Sequence, residues 1–202
     1  MKKIFLIITV FVTSLSYCQT ADEYNDRGVS KAILKDYRGS IEEYSKAIEI
    51  DPNHNKAYGN RGVSKHELHD YQGAIADYSK AIEINPKYWA SYLRRGISKD
   101  SIQDYQGAIA DYTKVIELRP NKNKYYFYRG LSKYNLQDYQ GAISDISKVI
   151  ESYPNDSGSY YYIGLSKLKL NQNESACLDF NKAKELGSQE AVEIMKKNCD
   201  QK

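Results

Sequence analysis

Residues 70–78 read DYQGAIADY, residues 104–112 read DYQGAIADY again, and residues 138–144 read DYQGAIS. A recurring stretch is either a catalytic motif used several times or a building block used several times. The prolines decide between these. The chain has four, Pro52, Pro86, Pro120 and Pro154, each 34 residues after the last. Fixed self-similarity at such a period is the mark of a repeat array. Chemistry rarely needs several equivalent copies of one residue set, so DYQGAIADY reads as one structural slot filled repeatedly.

With the proline at position 32, units cover 21–54, 55–88, 89–122, 123–156 and 157–190. Position 8 is glycine throughout: Gly28, Gly62, Gly96, Gly130 and Gly164. Position 4 is Tyr24, Tyr58, Tyr92, Tyr126 and Tyr160, and position 20 is always small, from Ser40 to Ala176. Position 24 is Tyr44, Tyr78, Tyr112, Ile146 and Phe180. Each unit predicts two antiparallel helices, near positions 2–14 and 18–30. The aspartates at position 16 (Asp36, Asp70, Asp104, Asp138) suit the cap of the second helix. Unit five has Gln172 there, and Asn171 or Asn173 would shift the helix start by one residue. Proline at 32 ends the second helix by pushing its predecessor out of helical geometry. One unit cannot bury its apolar side alone, whereas stacked units share a continuous core.

This pattern resembles the tetratricopeptide repeat (TPR), whose signature is an aromatic, Leu-Gly, Tyr, Ala-x-x-x-Phe, Ala and Pro. The resemblance covers residues 21 to about 190. It departs at position 7, which is arginine in four units (Arg27, Arg61, Arg95, Arg129), and at position 11, which is lysine in all five. Ser188 stands where unit five would have its proline. The resemblance implies an all-α, right-handed superhelical solenoid, with a domain over 19–202 and a capping helix near 189–199. It also implies a concave groove lined by the first helices, at positions 2, 5, 9 and 12.

Position 5 along that groove reads Asn25, Gly59, Leu93, Phe127 and Tyr161. Position 9 is apolar throughout, from Val29 to Leu165. Lys124, Tyr128, Tyr134 and Tyr162 add polar tips at the aromatic end. Tyrosine suits binding surfaces because it offers a large rigid ring and a hydroxyl. Asn25, Leu93, Lys124, Phe127, Tyr128, Tyr134, Tyr161 and Tyr162 are therefore the candidate partner-binding residues, and the competing reading is simple packing between helices. One TPR subtype clamps a peptide carboxylate with Lys and Asn or Arg at positions 5 and 9. Asn25 with Val29, Gly59 with Val63 and Leu93 with Ile97 do not supply that clamp.

Other chemistry finds little support. Formal charge is +3, falling to +1 without Lys2 and Lys3, and no dense basic patch points to nucleic acid. His54, His66 and His69 raise a metal site, but nothing completes a tetrahedral set. No phosphate loop, nucleophile elbow or zincin motif occurs. Ser-Lys pairs at positions 10 and 11 recur in every unit and read as helix surface. Asp77 with Lys80, and Asp111 with Lys114, read as helical ion pairs. No cofactor and no enzymatic activity are expected.

The first residues, MKKIFLIITVFVTSLSYCQT, combine a basic start with a short apolar run. This predicts a signal peptide over 1–18, too short for a membrane span. The alternative is a lipoprotein anchored at Cys18, although Tyr17 is not the small residue such a site favours. Either way the protein is expected to be exported, to the periplasm, the envelope or beyond. Cys177 and Cys199 are then expected to form a disulfide. Overall the sequence points to a non-catalytic adaptor that binds a protein or peptide segment, with a self-assembling envelope protein as the alternative.

Overall fold

A computed structural model describes residues 19–199. The leader over 1–18 and Cys18 lie outside the described residues. Eleven helices follow one another among them. The first helices of the five units are α1 (Ala21–Ile33), α3 (Asn55–Glu67), α5 (Trp89–Ser101), α7 (Lys124–Asn135) and α9 (Ser157–Lys169). The second helices are α2 (Tyr37–Ile50), α4 (Tyr71–Ile84), α6 (Tyr105–Leu118), α8 (Tyr139–Ser152) and α10 (Asn173–Glu185), and α11 (Gln189–Asn198) closes the array. Each helix packs on its neighbours in the chain, and α1–α3, α3–α5 and α7–α9 also touch. The first helices thus line one face of a right-handed solenoid.

The DYQGAIADY stretch shows why the units repeat so closely. Asp70 accepts the Gly73 N–H at 2.9 Å, capping α4. A Cβ on Gly73 would run into the Asp70 carboxylate, so the cap and the glycine come as a pair. Ala74 is fully buried, and Tyr78 lies across Gly62, where a Cβ would sit 2.8 Å from the ring. The same approach recurs at Gly28–Tyr44 and Gly96–Tyr112.

The turn between the helices of a unit is a feature the sequence reading missed. Position 15 takes a left-handed conformation in every unit: Lys35, His69, Gln103, Gln137 and Asn171 have φ of 60–68°. In unit one, Lys35 N–H bonds Ala32 O and Asp36 N–H bonds Lys31 O. That is a Schellman closure made without glycine. Because Asn171 occupies this slot, unit five keeps the common register. Its helix starts at Asn173 with Gln172 at the cap position and no side-chain cap bond, so the expected one-residue shift does not occur.

Arginine at position 7 and lysine at position 11 have a shared purpose. Arg61 makes two hydrogen bonds to Asp77, at 2.9 and 2.7 Å, and Lys65 approaches the same carboxylate at 2.8 Å. Arg95 and Lys99 hold Asp111 likewise, and Arg129 and Lys133 hold Asp145. In unit one Glu43 takes the acid's place, with Arg27 and Lys31. Each arginine from unit two to unit four also donates to the preceding unit: Arg61 to Ser45, Arg95 to Ser79, Arg129 to Thr113, each at 3.0 Å. The guanidinium lies over the position-4 tyrosine as well, as Arg95 does over Tyr92. The clamp therefore ties the two helices of a unit together and fixes the next unit's register.

Two expectations are corrected here. Asp77 and Asp111 do not pair with Lys80 and Lys114, which instead reach Glu83 and Glu117. The recurring serines of the Ser-Lys pairs are not surface residues: Ser64, Ser98, Ser132 and Ser166 are fully buried between units, and only Ser30, at the open end, is exposed.

At the far end Ala191, Ile194 and Met195 of α11 pack on α9 and α10. Cys177 and Cys199 form a disulfide, their Cα atoms 5.8 Å apart, joining α10 to the end of α11. No helix among the described residues is long and apolar enough to cross a membrane.

Candidate functional site

The solenoid divides the eight candidate residues into three groups. Lys124, Phe127 and Tyr128 project from the first turns of α7 into an open cleft of about 600 Å3. Tyr153, Pro154 and Asp156 form its opposite wall, and Val149 contributes to its floor. The wall exists because α8 stops at Ser152, ahead of Pro154, and the connection to α9 runs along the cleft. Lys124 and Tyr128 are exposed, and Tyr128 stacks on Tyr112 with ring centroids 5.7 Å apart.

Phe127 also begins an aromatic row. Its ring meets Tyr162 edge-on at 5.9 Å, and Tyr162 meets Tyr134 at 6.0 Å and Tyr161 at 5.4 Å. Tyr161 continues to Phe180 at 6.1 Å, and Tyr134 to Tyr139 at 5.5 Å. These rings are half-buried except Phe180, which is core. The row is partly packing and partly surface. Burial raises the phenol pKa of both Tyr134 and Tyr161, so both stay neutral donors at ordinary pH.

Asn25 and Leu93 do not join them. Asn25 is 5% exposed and accepts from Asn60 Nδ2 at 3.0 Å, which makes it a bond between units one and two. Leu93 packs on the buried cluster of Val115, Ile116 and Tyr125. Both sit on the expected helix face, but spend their side chains on the next unit.

The histidines serve separate structural bonds. His54 caps α3 through Nδ1, accepting the Ala57 N–H at 3.1 Å, and its Nε2 faces Asp22. His66 bonds Ser98, and His69 bonds the Tyr71 hydroxyl. Burial lowers the His66 pKa. Among the described residues no three His, Cys, Asp or Glu gather as a metal site.

Sequence reasoning missed one region of the groove. Arg94, at position 6 of unit three, stands where the groove of units one to three runs past Val63, Tyr78 and Ile97. The signal for it was Gly59, the gap in the position-5 row where later units carry Leu93, Phe127 and Tyr161.

Tetratricopeptide-repeat family models match residues 22–54, 56–88 and 93–157. No curated protein matches the sequence. Among solved structures, one described as a crystal structure of MamA protein is 24% identical with a TM-score of 0.78, covering 90% of this chain and 96% of that one. YrrB, described as a TPR protein with an unusual peptide-binding site, is 20% identical with a TM-score of 0.81, covering 88% and 92%. A MamA fragment from Desulfovibrio magneticus RS-1 is 18% identical with a TM-score of 0.78, covering 82% and 94%. At these identities the likeness is one of fold. The family matches, the 34-residue period and the stacked helix pairs agree: this chain belongs to the tetratricopeptide-repeat family.

Proposed function

We propose that this protein is a non-catalytic interaction scaffold that captures a protein segment on the face lined by the first helices. The observation that carries this is the open cleft of Lys124, Phe127 and Tyr128, continuous with the aromatic row through Tyr162. It joins apolar area to a cation and phenolic hydroxyls, the mixture that anchors interfaces. The cleft sits on a packed solenoid, so binding orders little of the scaffold itself. A photo-crosslinking residue in place of Tyr128 tests this: a discrete adduct that a Phe127→Ala change abolishes supports the reading, and diffuse or unchanged labelling counts against it.

The same reading places the protein outside the cytoplasm. Its supports are the apolar leader and the Cys177–Cys199 bridge, since disulfides persist in oxidising compartments. A reporter phosphatase that works only after export, fused behind residues 1–25, would stay inactive if this were wrong. A second reading, self-assembly, draws on Ile33 and Leu34, which are 76% and 80% exposed at the open end of unit one. Growth of scattering mass with concentration would favour it.

A further inference from the structure

We infer that the captured segment is acidic beside its apolar anchor: its carboxylates meet Arg119, Lys122 and Lys124 while the anchor enters the cleft of Phe127 and Tyr128. This rests on the reading of that cleft as a segment-binding site, and adds the partner's charge and its spacing.

The connection between α6 and α7 differs from the others between units. Residues 119–124 carry Arg119, Lys122 and Lys124 and no acid. The connections over 51–54 and 153–156 each carry an aspartate, and that over 85–88 carries a single lysine. All three cations are exposed, and among the described residues none forms a salt bridge. The cations of the clamp, by contrast, each hold an acid of their own unit, as Arg61 and Lys65 hold Asp77. Arg119 and Lys122 border a shallow hollow of about 260 Å3 that no acid lines.

Two of the three cations are fixed on one base. The Arg119 guanidinium carbon lies 5.1 Å from the centre of the Trp89 ring, and the Lys124 ammonium lies 5.4 Å from that of Tyr125. Trp89 and Tyr125 pack on each other at 5.7 Å, and Tyr125 is buried in the core. Cation–π attraction to this pair orders both charges before a ligand arrives. Burial raises the Tyr125 pKa and the Arg119 charge offsets part of the rise, which agrees with a guanidinium close to that phenol.

The charged strip runs into the cleft. Lys124 borders the cleft together with Phe127 and Tyr128, and four residues of α7 separate it from Tyr128 on the same face. The one acid lining the cleft, Asp156, is engaged with the Ser159 N–H. An acidic segment therefore meets cations without competitors, and a basic one meets three like charges. Four residues of helix rise about 6 Å, which an extended chain covers in about two residues. A carboxylate two residues from the anchor fits this spacing. An anionic membrane would also attract the cations, but the cleft beside them suits a single apolar side chain, which favours a protein segment.

The test is fluorescence anisotropy of the full chain with a labelled, C-terminally amidated peptide, Ser-Glu-Glu-Ser-Phe-Leu-Ser-Gly. The same peptide with Gln for Glu, and phosphatidylglycerol vesicles, are the comparisons. The Glu probe should bind about tenfold tighter than the Gln probe, as three exposed cations together imply. That preference should vanish in 1 M salt, where screening acts within about 3 Å. Arg119→Gln and Lys124→Gln should each narrow it, and the two with Lys122→Gln should erase it, with melting temperature unchanged. Lys197→Gln, on the far α11, should leave it as it is. Equal binding of Glu and Gln probes overturns the inference, as does a preference that survives the triple change. Vesicle binding that the triple change abolishes, without any Glu preference, would assign the cations to a membrane and overturn it too. If both probes bind equally and Phe127→Ala weakens both, the groove reading stands and only the acidic contact falls. If neither binds, the acidic contact falls, and the groove reading is judged by the Tyr128 adduct.

Discussion

Arg129 and Asp145 join α7 to α8 through two parallel hydrogen bonds of 2.7 Å each. Burial alone would raise the Asp145 pKa, but Arg129 and Lys133 outweigh it and hold it below its usual 3.8. Unit five lacks the arginine, with Ile163 in its place. There Asp179 has Lys167 alone, 2.6 Å away without a well-directed hydrogen bond, and burial wins, raising its pKa.

Matching substitutions should therefore behave differently. Asp145→Asn leaves two cations without their buried partner and should cost about 3 kcal/mol. Asp179→Asn removes a poorly compensated charge and should leave stability at neutral pH unchanged or raised. The pH dependence has opposite signs at the two sites. Asp145, with its lowered pKa, contributes stability above 3.8 that is lost as pH falls through its folded value. Asp179, with its raised pKa, contributes stability below 3.8 that is lost as pH rises through its folded value. Denaturant midpoints across the acid range check both. Equal losses from the two variants would contradict the account.

Ile163→Arg should restore the clamp in unit five. The new guanidinium would reach Asp179, and Ser147 stands where Ser45, Ser79 and Thr113 receive the other arginines. The melting temperature should rise and the Asp179 pKa should fall below its usual value. Calorimetry and carboxyl NMR titration measure the two effects separately.

Much of this fold was legible because the repeat constrains it from several directions. The proline period, Gly62 under Tyr78 and the cap at Asp70 each mark a slot that only certain residues fill. The charged clamp was misread because its members are 16 residues apart in sequence, as Arg61 and Asp77 are. Local spacing favoured Lys80 as the partner of Asp77 instead. The candidate site was half legible. Phe127 and Tyr162 share a surface as the helix pattern implied, whereas Asn25 and Leu93 point the right way but reach the next unit. One-unit patterns cannot show what a neighbouring unit covers.

Gly96→Ala should be costly and Gly59→Ala should not. A Cβ at Gly96 would stand 2.7 Å from the Tyr112 ring. Moving that ring also breaks the Tyr112 hydroxyl bond to Asp100, whose carboxylate in turn holds Ser132 of the next unit. Overpacking of this kind costs about 1–3 kcal/mol. Gly59 faces open space, so alanine there should stabilise by about 0.5–1 kcal/mol through helix propensity. Thermal melts of the two variants give the comparison.

Reduction should loosen the C-terminal cap selectively. The Cys177–Cys199 bridge spans 22 residues of sequence, a loop whose closure is worth roughly 3 kcal/mol in the chain-entropy model. Under dithiothreitol, hydrogen exchange should speed up in α10 and α11 while α3 to α6 stay protected. Uniform acceleration along the chain would count against a local staple.

The central claim is that the Lys124–Phe127–Tyr128 cleft is where a protein partner is held. The direct measurement is quantitative capture from envelope extract by the wild-type chain beside a Lys124→Glu/Phe127→Ala variant with an unchanged circular dichroism melt. The account predicts that a discrete partner recovered with the wild type is lost with the variant. Recovery of the same partner in the same yield by both would contradict it.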